Sequence, residues 1–251
     1  MQKYISILVF LMLVTICNHI NAQNDIKTPQ NAEAIINMYL KNIGGIKKLE
    51  KIKTLHKKFN TELLEASELK IQGEVAYKYP NLYYSLVTRE IANLQQIHEL
   101  KYDGKTCIMS QLYNNEKSET IIKGEALESK IQDFYPFPIL TQKSNNIKFK
   151  LVKIIEEKDY KYYKILNENP FNKDSVFLYF DSKKYFLRKK ENVNPHNTTI
   201  IEYYDFHEQE GIIFPLKEVS TIIIDGKKAQ SITTTINQII INSKIDLDFF
   251  Q

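Results

Sequence analysis

The chain has 251 residues, with 34 Lys and Arg against 30 Asp and Glu, 12% aromatic residues, seven glycines and two cysteines. So small a positive excess, with signs alternating along the chain, leaves no electrostatic footprint for nucleic acid. Only Cys107 remains once an N-terminal leader is set aside, so an internal disulfide is excluded and the core must hold itself together.

That leader is Met1–Ala22. Lys3 opens it, the apolar run Ile5–Ile16 is too short to span a bilayer, and Ile20-Asn21-Ala22 places a small residue before Gln23. These are the parts of a secretory signal peptide. Cys17 is a poor lipidation candidate, because Ile16 stands where a small residue is expected and polar Asn18–Asn21 follows. The remainder, 23–251, is long enough for one large β domain, and no Pro/Ser/Gly-rich linker divides it.

Gln23–Gln30 is a polar lead-in. Asn31 caps a helix with Ala34, Ile35, Met38 and Tyr39 at helical spacing, and Gly44-Gly45 ends it. A short turn, Ile46–Ile52, follows. Leu55, Phe59 and Leu63 then take odd positions while His56, Lys58, Asn60 and Glu62 fill the even ones, a half-buried strand. Leu69–Tyr79 is the next strand, with Gly73 marking a bulge or a close approach, and Pro80-Asn81 turns the chain. Leu82–Arg89 is apolar or aromatic on both parities, so both faces should meet something apolar. Ile97–Tyr102 and Thr106–Leu112 pair around the turn Asp103-Gly104-Lys105.

Over Gly124–Tyr135 the alternation gives way to Leu127, Ile131 and Phe134 at spacings of four and three, an amphipathic helix stopped by Pro136. Phe137–Leu140 reads as extended. Strands resume at Ile147–Ile155 and Tyr160–Leu166 and lead into a meander over Asp174–Ile241, with turns at Asp181–Lys184, His207–Gly211 and Asp225-Gly226-Lys227. Pro215 lacks an N–H and should sit at an edge, a bulge or a strand start. The expected order is helix, about five strands, helix, then about six or seven strands.

Catalytic constellations are absent: no G-x-S-x-G, H-E-x-x-H, C-x-x-C or phosphate-cradling glycine run occurs. Asp205 and His207 share one strand face and could hold a metal or form a base and its orienter, but no third ligand lies nearby, and a polar strand end fits them better. His98 reads as a surface or satisfied histidine, Cys107 as a small core residue, and Asn197-Thr198-Thr199 as a chance match to a glycosylation acceptor.

Taken in order, NAEAIINMYLKNIGGIKKLEKIKTL, KYPNLYYSL, YDGKT, VFLYFDSKKYFLRKKE, YYDFHEQEGIIFPLKEV and IIINSKIDLDFF resemble the outer-membrane lipoprotein-sorting (LolA-like) family of periplasmic carriers. The resemblance covers most of the chain after the leader. It implies a mainly β fold: a curved, incompletely closed antiparallel β-barrel whose concave apolar face is covered by helices and holds acyl chains of a lipoprotein or another lipid. It also implies a periplasmic, non-enzymatic protein without cofactor or metal; secreted or outer-membrane-associated locations are the alternatives. The family often places a cation near the mouth to control lid opening. Arg89 and Arg188 are the only arginines, and no motif assigns either that role.

On this reading Phe59, Leu63, Tyr84, Leu86, Phe149, Leu151, Leu178, Phe180, Leu187, Tyr204 and Leu216 are expected to line the concavity, with Leu127, Ile131 and Phe134 on a lid. Burying about ten methylenes at roughly 0.8 kcal/mol each favours binding by about 8 kcal/mol, from which association costs subtract several. The expected partners are lipid or lipoprotein acyl chains, with envelope donor and acceptor proteins and a monomeric state. Two alternatives stay open: the same side chains form a closed core, or the barrel is an envelope interaction module without lipid. A hydrolase resting on Asp205 and His207 ranks last.

Overall fold

The computed structural model describes residues 31–64, 69–91, 94–131, 133–157, 160–170 and 174–250. The expected signal peptide and polar lead-in lie outside them. Helix α1 (Ala32–Asn42) starts where Asn31 Oδ1 accepts from the Ala34 N–H at 2.8 Å. It buries Ile35, Ile36 and Leu40 almost completely. Its C-terminal end is pinned to a distant hairpin: the Ile213 N–H donates to the Ile43 carbonyl at 2.9 Å, and Lys48 Nζ, on the short helix α2 (Ile46–Leu49), donates to the Gly211 carbonyl at 3.2 Å. Gly44 (φ +145°) comes so near that hairpin that a Cβ there would lie 3.1 Å from the Gly211 carbonyl oxygen.

The strands are β1 (Thr54–Leu63), β2 (Lys70–Lys78), β3 (Leu82–Ile91), β4 (Leu94–Tyr102), β5 (Cys107–Tyr113), β6 (Glu116–Ile122), β7 (Lys148–Glu157), β8 (Tyr160–Glu168), β9 (Ser175–Asp181), β10 (Leu187–Val193), β11 (Thr198–Gln209), β12 (Ile212–Ile224) and β13 (Lys227–Ile241). They form one antiparallel 13-stranded sheet in the order β6-β5-β4-β3-β2-β1-β13-β12-β11-β10-β9-β8-β7. The sheet does not close, since β6 and β7 lie at opposite edges. Sequence-consecutive strands are neighbours everywhere except there. The segment joining them carries α3 (Gly124–Ile131) and α4 (Pro138–Ser144).

Turn chemistry sets the registers. Asn114 and Asn115 (φ 50° and 64°) and Asp225 and Gly226 (φ 51° and 72°) supply the paired left-handed residues of tight hairpins. Asp181 Oδ1 accepts from the N–H groups of Lys183 and Lys184, and its other oxygen accepts from Arg188 Nε at 3.1 Å. Cross-strand partners Leu55, Tyr77, Tyr83, Tyr102, Cys107 and Ile122 share the face on which the helices lie. Pro215 belongs to an inner strand, but β12 pairs with β13 only from Lys217 onward, so on that side it interrupts no ladder.

Several expectations change. Phe137–Leu140 is not extended: Pro138 opens α4 at its first turn, where a missing N–H costs nothing. The amphipathic helix ends at Ile131 rather than Tyr135, and a turn carries the chain to Phe134. Strand β6 was not anticipated, because nearly all its residues are exposed and leave no apolar alternation to read. β3 is apolar on both sides, as its sequence indicates. Tyr83 stacks on Phe134 inside (4.3 Å between ring centres), and Tyr84 meets Phe249 outside (4.2 Å). There the C-terminal segment, ending in a 3-10 turn (Leu247–Phe250), covers Ala76 and Tyr84 and buries Phe250 to 1% exposure.

The close approach at Gly73 is a matter of sheet packing. A Cβ there would lie 2.5 Å from the Leu86 carbonyl oxygen and 2.6 Å from the Phe59 ring, so the ring of β1 lies directly over β2. The bulge is in β13 instead, where Asn237 is the extra residue opposite Lys58 and Phe59. Gly73→Ala should therefore cost about 1–3 kcal/mol, read as a lower urea midpoint at constant m-value; an unchanged midpoint would show that the two strands separate freely.

Candidate functional site

Between the concave face and the helices lies a cavity of about 890 Å³. That is at the upper end of the roughly 300–1,000 Å³ of small-molecule sites. Its apolar wall comes from Leu40 of α1 and Ile43 just past its end, Ile139 and Leu140 of α4, and Val176, Leu178, Leu187, Phe206 and Phe214 of the sheet. A second space of about 580 Å³ adjoins it, and the two share Tyr77, Tyr135, Pro136, Phe137 and Leu140. The connector between α3 and α4 is thus a partition across the concavity.

Of the expected ligand-binding residues, Leu178 and Leu187 face this cavity. Phe180 is fully buried in the main core against Tyr39, while Phe59, Phe149, Leu151 and Leu216 are half-buried against that core. Leu63 is half-buried near the end of β1, opposite Ile232. Tyr84 and Leu86 lie on the outer face under the C-terminal segment, and Tyr204 is 40% exposed. The strand periods are right, but curvature and the route of the C-terminal segment decide which inward positions reach the cavity.

α3 sits on the sheet through Leu127 and Ile131, which pack with Phe134 against Tyr83, Leu100, Tyr102, Cys107 and Ile122. Its other side, with Glu125, Ala126, Ser129 and Lys130, borders the cavity together with Asp133. Lys190 Nζ of β10 lies 3.8 Å from Asp133 Oδ1 and ties the end of this helix to the far wall. Lys143 on α4 bonds the Asn37 amide oxygen of α1, so the covering helices are also tied to one another.

Polar groups outside the expected apolar lining also border the cavity: Tyr39 of α1 and, on the sheet, Lys57, Tyr77, Tyr203 and Glu218. Tyr203 and Glu218 are direct cross-strand partners. Lys57 pairs with Val75, which makes Tyr77 its diagonal neighbour. Burial holds the hydroxyls of Tyr77 and Tyr203 well above the ordinary phenol value and raises that of Tyr39, so all three remain neutral O–H donors. Burial also lowers the Lys57 ammonium, opposed by Glu218, and raises the Glu218 carboxyl, opposed by Lys57 and Lys190. Asp205 and His207 are exposed, and Asp205 has φ 52°, which breaks the alternation that would align them. Among the described residues no group of three His, Cys, Asp or Glu is placed to hold a metal.

Glu218 keeps its proton to higher pH in the folded chain than in the unfolded one. Its ionisation therefore weakens the fold as pH rises from the ordinary glutamate range through the raised value. Glu218→Gln removes that dependence. Its thermal stability relative to the parent protein should improve with rising pH across this window, and a flat or falling difference would contradict the assignment.

No protein-family model matches the sequence, and no curated protein matches it. Among solved structures, the LolA superfamily protein NE2245 from Nitrosomonas europaea superposes with a TM-score of 0.56 at 12% identity, over 89% of this chain and 98% of that one. LprF from Mycobacterium bovis (10% identity, 87% and 98% covered, TM-score 0.32) and MucB in complex with MucA(peri) (9%, 83% and 99%, TM-score 0.21) agree too loosely to carry weight. Among the described residues no helix is long and apolar enough to cross a membrane. With its single unclosed antiparallel sheet and its helices laid over the concave face, the chain has the LolA-like fold.

Proposed function

We propose that the protein is a non-enzymatic binder or carrier of acyl chains, from a lipid or a lipoprotein, exported to the periplasm. The observation that supports this most directly is the cavity itself. Small-molecule sites are clefts of roughly 300–1,000 Å³ with a mainly apolar lining, and here a partly open cleft of about 890 Å³ lies beneath three helices beside a tightly packed core. A closed core would place side chains in that space. The chain would lie against Leu178, Leu187, Phe206 and Phe214 under α1 and α4, with α3 as the movable cover. Leu127 and Ile131 would be its anchor rather than its ligand contacts.

The rival interaction module has the two unpaired edges, β6 and β7, in its favour. β6 carries Glu116, Lys117 and Glu119, and β7 carries Lys148, Lys150, Lys153, Glu156 and Glu157, the kind of charges that blunt strand addition, so the cavity is the stronger feature.

Native mass spectrometry with organic extraction, on protein purified from its own envelope without detergent, should find acyl-containing mass at near-stoichiometric occupancy. Protein without such mass that also excludes a fluorescent fatty-acid probe would sink the carrier reading. The cover is tested separately. Replacing both Leu127 and Ile131 with Ala should loosen α3 and speed probe exchange by roughly tenfold, the equivalent of about 1.4 kcal/mol; unchanged exchange would remove α3 from the gating role.

A further inference from the structure

On the acyl-binding reading, on which this inference rests, the apolar wall accounts for the ligand's tail and leaves its polar end to be placed. The cavity is asymmetric. Leu178 and Leu187 lie on β9 and β10, while Lys57, Tyr77, Tyr203 and Glu218 stand together on β1, β2, β11 and β12, with Tyr39 of α1 and the ring of Phe214 beside them. Among the described residues, Lys57 and the hydroxyls of Tyr39, Tyr77 and Tyr203 make no hydrogen bond, and Lys57 and Glu218 do not approach to ion-pair distance. Lys190 differs, being already matched to Asp133.

Buried polar groups in native proteins are nearly always satisfied. Around Lys57 donors outnumber acceptors: an ammonium and three half-buried phenols face Glu218, with Asp133, already matched to Lys190, as the next carboxylate, while the unpartnered amide oxygens of Asn167 and Asn192 border the same cavity. The ring of Phe214, 5.6 Å from Lys57 Nζ, gives that cation a weak aromatic neighbour and no acceptor oxygen. An amine-ended ligand would meet Glu218 and Asp133 but add a second cation beside Lys57. A carboxylate would meet four donors, one of them charged.

We propose that the cavity is built for an amphiphile with a carboxylate end, held by Lys57 and the hydroxyls of Tyr39, Tyr77 and Tyr203, its alkyl chain running along Leu178 and Leu187. Burial supports the donor role of the phenols, because it keeps them protonated.

The test compares hexadecanoate with hexadecanol and methyl hexadecanoate, which share the chain and lack the charge, in displacement of a fluorescent probe near neutral pH. The wild-type protein should prefer the carboxylate by roughly tenfold, the increment of one charge-assisted hydrogen bond. Lys57→Met should erase that preference by weakening hexadecanoate binding far more than hexadecanol binding, and Glu218→Gln should widen it. Equal affinity of the wild-type protein for acid and alcohol, a comparison that needs no variant to fold, overturns the carboxylate assignment while acyl binding stands. A preference that survives in a folded Lys57→Met protein overturns the role of Lys57. Failure to bind any of the three amphiphiles overturns the acyl-binding reading itself, and this inference with it.

Discussion

The last strand of the first half, β6, and the first strand of the second half, β7, lie at opposite edges of one sheet. Consecutive strands elsewhere meet through short turns, but this pair can be joined only by a segment that travels from edge to edge. That segment cannot run through the sheet, and its apolar side chains have to be buried, so it crosses the concave face. Two short helices bridge a wide surface more readily than they fill it. Leu127 and Ile131 grip one half of the sheet, Ile139 and Leu140 the other, and between them stands the partition Tyr135–Phe137 with space on either side. The cavity is thus a consequence of topology as much as of side-chain choice.

α1 completes the roof because its ends are fixed. Asn31 caps its start, and the hydrogen bond from Ile213 to Ile43 holds its far end against the β11–β12 hairpin. The cost of tethering is low, since Ile35, Ile36 and Leu40 bury apolar surface in doing so. The covering helices touch each other through Lys143 and Asn37, and α3 is fastened to β10 by Lys190 and Asp133. An ion pair in which Asp133 is 64% exposed is worth at most about 1 kcal/mol. Such a fastening suits a cover better than a permanent wall.

The charged groups inside the cavity follow from strand parity. Leu55, Phe59 and Leu63 mark the inward parity of β1, and Lys57 stands on it; Ile212, Phe214 and Leu216 mark the inward parity of β12, and Glu218 continues it. An ionisable residue on an apolar parity was therefore legible before the fold was known. What could not be read is that two strands separated by β13 turn these residues toward one space, because that depends on curvature. The outer face misled in the opposite way. Tyr84, Leu86 and Ala76 have the composition of a cavity wall, but they are covered by Ile245, Phe249 and Phe250 from the end of the chain, a contact with no local signature.

The sequence by itself determined the elements whose cause is local: the capped first helix, the hairpin turns with left-handed Asn, Asp and Gly, the two-residue alternation of the inner strands, and through them an antiparallel sheet. It also marked β3 as covered on both sides. Tertiary structure decided the rest for physical reasons that do not act within a dozen residues. The edge strand β6 forms because a neighbour offers hydrogen bonds, not because its own side chains alternate. Pro138 begins a helix because the roof needs one there. Sheet curvature selected Leu178 and Leu187 from the expected lining residues and gathered Lys57, Tyr203 and Glu218 around the same space, since curving an open sheet turns strands that the chain keeps far apart toward one concavity.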